Sequence, residues 1–196
     1  MTAARGGVGH PLARLGPFDD EDRVNVVVDT PKGSRNKYTF DAKRGVFALG
    51  GVLPAGASFP FDFGYVPGTK GGDGDPVDVL VLMDEPAFPG CVIPARLIGV
   101  IEAEQRERDG KTVANDRLIA VAENSWTHRD VESLDDVSER LIEEIEHFFV
   151  SYNESKHKTF TPKGRHGPKR ARRIVEEAVV KKRGKKDDGR ARREGR

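Results

Sequence analysis

The sequence predicts a mainly β protein of the α+β class, an antiparallel barrel or sandwich followed by two helices. Two patterns carry this prediction. Short β-branched runs separated by Gly, Pro and Asp clusters extend to about residue 122, and helical spacing of apolar residues is confined to the C-terminal third. A length of 196 residues with 36% hydrophobic side chains is enough for one domain with a substantial core.

Six segments are predicted as strands. Each is a short run rich in Val, Ile, Leu or Phe that is bounded by Gly, Pro or Asp, which is the composition typical of strands between turns. The predicted strands cover residues 24–29, 37–40, 46–49, 77–82, 96–104 and 117–122.

Two helices are predicted near the C-terminus. In residues 137–152 apolar side chains recur at spacings of three and four, and Ser133 offers an N-cap. The second helix begins near Pro168, a residue suited to the first helical position, and turns its Arg and Lys side chains to solvent. Its predicted buried face consists of Ala171, Ile174, Val175, Ala178 and Val179.

Charge is divided unevenly along the chain. Residues 155–196 carry 17 Lys and Arg against 5 Asp and Glu, whereas residues 1–154 carry 16 against 27. A basic tail can bind anions, but an acidic folded part is unlike a nucleic-acid-binding domain, so the sequence argues against nucleic acid as a partner. We expect a disordered arm over residues 1–17, a single domain over residues 18–182 and a disordered basic tail over residues 183–196.

Cysteine content and the lack of long apolar stretches favour a cytoplasmic protein. Cys91 is the only cysteine, which excludes a disulfide framework and a cysteine-based zinc cage. The first residues lack the apolar core of a signal peptide, and no stretch approaches the roughly 20 apolar residues of a membrane-spanning helix. Neither secretion nor a membrane is therefore expected.

The segment Asp-Gly-Asp-Pro-Val-Asp at residues 73–78 is the most informative in the sequence. In an extended backbone, Asp73 and Asp75 point to one face and Asp78 enters the strand behind them. Carboxylates about 5 Å apart repel by roughly 3 kcal/mol per pair at an effective dielectric near 20, so a bound cation would relieve the cluster. Oxygen ligands select a hard ion, Mg²⁺ with Mn²⁺ as an alternative. The other reading is a solvated acidic turn.

These aspartates follow the run Phe-Pro-Phe-Asp-Phe-Gly-Tyr at residues 59–65, and the combination resembles the signature region of the family I soluble inorganic pyrophosphatases. Matching segments in the same order extend the resemblance over roughly residues 24–160. It implies a small closed antiparallel β-barrel of OB-like topology, flanked by two C-terminal helices. It also implies a homo-oligomer that hydrolyses pyrophosphate to two phosphates with Mg²⁺.

The same resemblance implies a role for each candidate residue. Asp73, Asp75 and Asp78 correspond to metal ligands, and Asp75 also to the base that orients and deprotonates the attacking water. Three further residues, Lys37, Arg117 and Tyr152, correspond to phosphate contacts. Each also has a structural alternative. Lys37 could be a solvated strand residue, Arg117 a cross-strand ion-pair partner and Tyr152 the last core residue of its helix.

Several positions depart from the family pattern. Thr39, Asn115 and Gln105 or its neighbour stand where carboxylates are expected, and Gly51 and Asn153 stand where cations are expected. Losses of both signs indicate a remodelled site. They leave open a metal-dependent phosphoanion-binding protein without turnover, or a hydrolase of another diphosphate. A nucleic-acid-binding OB-like barrel is a third hypothesis, based on the basic tail alone.

A hairpin is predicted at Asp109-Gly110. If the turn has two residues, Glu104 lies opposite Asn115 and could supply the carboxylate that Asn115 lacks, and Glu102 faces Arg117. A longer turn would shift this register.

Overall fold

The computed structural model describes residues 11–180, and within that range it contains nine strands, two α-helices and two short 3₁₀-helices. The strands are β1 (Val24–Thr30), β2 (Asn36–Asp41), β3 (Val46–Val52), β4 (Asp62–Tyr65), β5 (Asp78–Leu82), β6 (Val92–Arg106), β7 (Thr112–Ala114), β8 (Arg117–Ala122) and β9 (Thr159–His166). The helices are α1 (Glu139–Glu154) and α2 (Pro168–Ala178).

Five strands close into a ring in the order β1, β4, β5, β8 and β6, with β6 pairing back to β1. This ring confirms the predicted mainly β fold with closed, OB-like topology and two C-terminal helices. The pairing of β5 with β8 is parallel, so the expectation of a wholly antiparallel ring is wrong at this position. The chain between these two strands travels back along β6, which lets β8 start at the same end of the ring as β5.

Strand β6 is 15 residues long and pairs with four other strands, β1, β7, β8 and β9. The β6–β7 hairpin aligns Glu104 with Ala114 and Arg106 with Thr112, which leaves three residues in the turn beyond the pair formed by Glu107 and Lys111. The last turn residue, Gly110, has a φ of 86°, a conformation that favours glycine. The turn is therefore one residue longer than the two-residue hairpin.

Strands β4, β7 and β9 are not among the six strands predicted from the sequence, although the predicted hairpin at Asp109-Gly110 implied a strand near β7. Strand β4 contains the second half of the aromatic run and lies between β1 and β5. A Cβ at Gly64 would lie 2.2 Å from the Val27 carbonyl oxygen, so the close approach of β1 and β4 requires glycine. Buried Asp62 accepts backbone N–H bonds from Lys32 (3.3 Å) and Ala87 (3.2 Å), which ties two loops to this strand.

The core has two parts because alternate residues of the ring strands face opposite sides. On β5, Leu80 and Leu82 belong to the cluster that packs under α1, whereas Val79 and Val81 belong to the cluster that packs under α2. Both faces of β5 are buried, which explains its continuous apolar run.

Both C-terminal helices are confirmed, with corrections at their ends. Ser133 caps the 3₁₀-helix Leu134–Asp136, and α1 begins at Glu139 with Ser138 as its N-cap. Helix α2 starts at Pro168 as predicted and buries Ala171 and Val175. Val179 lies beyond its end and is 38% exposed, so its predicted place in the buried face is wrong.

Part of the predicted N-terminal arm packs against the domain. A 3₁₀-helix covers Pro11–Arg14, and the carbonyls of Gly16 and Pro17 accept hydrogen bonds from Asn25. Residues 1–10 of the arm and the predicted tail over residues 183–196 lie outside the described residues. Within residues 11–180, no helix has the length and apolar character needed to cross a bilayer.

Candidate active site

A cleft of about 640 Å³ opens where β2, the loop before β5, β8 and the end of α1 meet. All the residues predicted from the sequence to form the site line this cleft. They are Lys37, Asp73, Asp75, Asp78, Arg117 and Tyr152.

A glycine-rich turn presents the first two aspartates. The Asp73 carboxylate accepts the backbone N–H of Asp75 at 3.0 Å, and Gly71 donates its N–H to the Asp75 carbonyl at 2.6 Å. Burial, together with the neighbouring Asp75 carboxylate, raises the pKa of Asp73. The turn therefore holds two carboxylates close together at the mouth of the cleft.

Asp78 at the start of β5 pairs with a buried cation. Its carboxylate lies 2.7 Å from Arg117 Nη1, and the Asp78 side chain is 26% exposed. Burial still raises the pKa of Asp78 to about 6, against the attraction of Arg117 and Lys37. One member of the predicted aspartate cluster, Asp78, therefore already has a protein cation beside it.

Arg117 is buried among protein groups, although its Nε has no hydrogen-bond partner among the described residues. Its guanidinium lies 4.8 Å from the centre of the Phe149 ring and 5.2 Å from that of Phe160, and its Nη1 donates to Asn115 Oδ1. Only 3% of the residue is exposed. Arg117 also forms a cross-strand ion pair, which is its structural alternative from the sequence, because Asp78 lies on the neighbouring strand β5.

Lys37 reaches the cleft from β2 and is fixed by a second ion pair. Its ammonium lies 2.6 and 2.7 Å from the two carboxylate oxygens of Asp29, and 4.4 Å from the centre of the Phe63 ring. Asp29 therefore positions the cation. Phe63 supplies an aromatic face to the same ammonium.

A chain of amides replaces the expected carboxylates on β6 and beside β8. Asn115 Nδ2 donates to Gln105 Oε1 at 3.0 Å, and Gln105 Nε2 donates to Glu107 Oε1 at 2.5 Å. Glu107 in turn pairs with Lys158 at 2.7 Å. The amide oxygens of both residues are thus occupied by hydrogen bonds within the protein.

Glu104 does not supply the missing carboxylate. The three-residue turn shifts the register by one residue, which reverses the side-chain faces. Glu104 pairs with Lys163 at 2.8 Å outside the cleft, and Glu102 pairs with Arg170 at 2.6 Å rather than with Arg117.

The sequence analysis missed Lys156, which lines the cleft beside Tyr152. Its ammonium donates to the Tyr152 hydroxyl and lies 3.9 Å from the centre of that ring. Burial and the nearby cation Lys37 lower the pKa of Lys156 to about 8. Lys156 lies in the turn just after α1, so the helical spacing that located α1 did not place it beside Tyr152.

The donor chemistry of the cleft fits a hard divalent cation. Asp73, Asp75 and Asp78 offer oxygen ligands, and the raised pKa values of Asp73 and Asp78 show that nearby protein charges do not fully offset the cost of their burial. As positioned among residues 11–180, however, no three His, Cys, Asp or Glu side chains form a ready cage for a metal. A Mg²⁺ ion bound here would therefore keep water molecules among its ligands unless the side chains reorient.

Comparison with known proteins agrees with the fold. The family model described as Inorganic pyrophosphatase matches residues 26–183. An inorganic pyrophosphatase from Synechocystis is 39% identical over 142 residues, which cover 72% of this chain and 80% of the relative. One from Geobacillus stearothermophilus is 35% identical over 159 residues, covering 81% and 93%.

Solved structures agree as well. The inorganic pyrophosphatase from Thermus thermophilus has a TM-score of 0.77 at 31% identity, over 86% of this chain and 96% of that one. The enzyme from Helicobacter pylori has a TM-score of 0.76 at 34% identity, over 85% and 96%. Sequence and structure together show that this chain belongs to the inorganic pyrophosphatase family.

Proposed function

We propose that the protein hydrolyses inorganic pyrophosphate to two phosphates in the cytoplasm, with Mg²⁺ as its cofactor and Mn²⁺ as an alternative. The observation that carries this proposal is the meeting of opposite charges in one cleft. Asp73, Asp75 and Asp78 line the cleft together with Lys37 and Lys156. Pyrophosphate needs cations around its oxygens and a base for water, and this cleft offers both.

In the proposed reaction, Asp75 orients a water molecule and accepts its proton. The water oxygen attacks one phosphorus atom, and the bond from that phosphorus to the bridging oxygen breaks. Lys37, Lys156 and the Tyr152 hydroxyl bind the leaving phosphate and offset its growing negative charge. Mg²⁺ held by Asp73, Asp75 and Asp78 would supply positive charge for the phosphate oxygens and would make water more acidic.

Arg117 contributes to the proposed site mainly through Asp78. The pair with Asp78 at 2.7 Å uses Nη1, so contact with phosphate, which the sequence resemblance implies, would use the other N–H groups of the guanidinium. We assign Arg117 a positioning role as well, in which it sets the orientation of the Asp78 carboxylate. Assembly into a homo-oligomer, implied by the sequence resemblance, is part of the same proposal.

The test is the release of inorganic phosphate from pyrophosphate by the wild type and by Asp75→Asn. Loss of the base should lower kcat by about 10² to 10⁴-fold, with little change in the unfolding midpoint. Asp130→Asn is the matched control, since its side chain is 92% exposed and remote from the cleft lining. Tight binding of pyrophosphate without phosphate release would favour a binding protein, and an unaffected Asp75→Asn variant would exclude the proposed base.

A further inference from the structure

A second cavity of about 370 Å³ lies directly beside the cleft. The two share Lys37, Tyr152 and Lys156, which therefore form a common wall. Of the described residues, the three aspartates 73, 75 and 78 line the cleft and not the second cavity. We call this second space the side cavity; its lining is Lys37, Gly51, Val52, Leu53, Pro54, Tyr152, Ser155 and Lys156.

The side cavity is open because Gly51 has no side chain. A Cβ built at Gly51 would meet no heavy atom within 4 Å in the part of the chain that the structure describes, and its φ lies outside the left-handed region. A larger residue is therefore sterically possible there. Glycine leaves room next to the phosphate-binding wall that a long side chain would fill.

The side cavity is lined by both cationic and apolar residues. Among residues 11–180, the cations that line it are Lys37 and Lys156, both on the wall shared with the cleft. The rest of the lining includes the apolar residues Val52, Leu53 and Pro54, of which Leu53 is 4% exposed and Val52 is 59% exposed. A phosphate bound at the shared wall and carrying an apolar substituent would match this combination of cations and apolar residues.

We infer that the side cavity receives an organic substituent carried by the leaving phosphate, so that short alkyl diphosphates are substrates of this site. The inference rests on the proposed function, because it uses the same base and the same phosphate wall. The substituent lies on the leaving phosphate since the side cavity adjoins Lys37 and Lys156 rather than Asp75. A third phosphate fits less well, because it would face apolar residues without additional cations.

The reaction keeps the chemistry of pyrophosphate hydrolysis. The water oxygen forms a bond to the terminal phosphorus, and its proton goes to Asp75. The bond between the terminal phosphorus and the bridging oxygen breaks, and that oxygen stays on the phosphate that carries the alkyl group. The products are inorganic phosphate and an alkyl monophosphate.

The experiment compares phosphate release from pyrophosphate, n-butyl diphosphate and tripolyphosphate by the wild type and by Gly51→Leu. Leucine at this position should fill the side cavity. We expect Gly51→Leu to lower kcat/KM for n-butyl diphosphate at least tenfold more than kcat/KM for pyrophosphate. Ala55→Leu, which adds leucine to the exposed loop after Pro54 and lines neither cavity, should leave that ratio at the wild-type value.

Each outcome separates this inference from the proposed function. Wild-type hydrolysis of pyrophosphate without hydrolysis of n-butyl diphosphate would overturn the inference alone, as would equal effects of Gly51→Leu on both substrates. If the wild type prefers tripolyphosphate and Gly51→Leu abolishes that preference, the side cavity binds a phosphate group rather than an alkyl group, and the inference is overturned. If the wild type releases no phosphate from pyrophosphate, the proposed function fails, and calorimetry with n-butyl diphosphate still tests whether Gly51→Leu blocks binding.

Discussion

The acidic and basic groups that line the cleft differ in the sign of their charge but share one property. On the acidic side, burial raises the pKa of Asp73 and raises that of Asp78 to about 6. On the basic side, burial and neighbouring cations lower the pKa of Lys156 to about 8. In both sets, burial raises the free energy of the charged form in the free protein. A cation bound to the aspartates and a phosphate bound to the lysines would lower this free energy, which is the pattern expected of a binding site.

Two ion pairs limit this imbalance. Asp29 holds Lys37, and Arg117 holds Asp78, so one member of each side is already partly neutralised. Asp73 and Lys156 have no such pair among the ion pairs of the described residues. The two pairs therefore hold Lys37 and Asp78 in place for ligand binding, whereas Asp73 and Lys156 have no ion-pair partner within residues 11–180 that fixes them.

Removing the buried cation should have the largest effect on stability. Arg117→Met leaves the Asp78 carboxylate and the Asn115 amide oxygen without their partner, and we expect a loss of about 3 kcal/mol in the free energy of unfolding. Urea denaturation measures this loss. Adding Asp78→Asn should recover part of it.

The control for that series is Arg140→Met. Arg140 pairs with Glu144 on the surface of α1 and its side chain is 87% exposed, so a change of no more than about 0.5 kcal/mol is expected. If Arg117→Met were as stable as the wild type, the buried pair of Arg117 and Asp78 would not contribute to the free energy of unfolding.

The pH dependence of stability should reveal the strain at Asp78. Its pKa is about 6 in the folded protein against an ordinary value of 3.8, so between these values the folded state binds a proton that the unfolded state releases. Wild-type stability should therefore fall, relative to Asp78→Asn, as the pH rises from about 4 to 6, by on the order of 2 kcal/mol. Parallel stability curves for the two proteins would contradict a raised pKa.

The smallest of these effects is expected at Lys156. Lys156→Met removes a charged donor to the leaving phosphate, which should raise KM for pyrophosphate about tenfold with a smaller change in kcat. Because the ammonium loses its proton above about pH 8, the wild-type KM should rise above that pH and the variant's should not. Lys163→Met, on the surface pair with Glu104, is the control.

Local patterns predicted well those features that depend on neighbours in sequence. The spacing of apolar residues located α1, and the aspartate segment, read with the family resemblance, gave six residues that the structure brings into one cleft. Both depend on short stretches of chain with a clear period or composition. The roles of those six residues stay predictions until they are measured.

Features set by distant contacts could not be predicted in this way. The face of Glu104 depended on one residue in the turn, because a shift of one reverses every side chain of a strand. Lys156 lies beyond the end of α1, and its place beside Tyr152 depends on how the chain leaves the helix. Strand β4 was missed because its residues Asp62 and Gly64 are poor strand formers that only the packed sheet accommodates.

The most direct test of the opposed-charge cleft is phosphate release from pyrophosphate by the wild-type protein as Mg²⁺ is titrated in after chelation. The charge arrangement predicts no release without a divalent cation and saturable release as Mg²⁺ is added. Absence of release with both Mg²⁺ and Mn²⁺ from pH 6 to 9, or undiminished release under chelation, would contradict it.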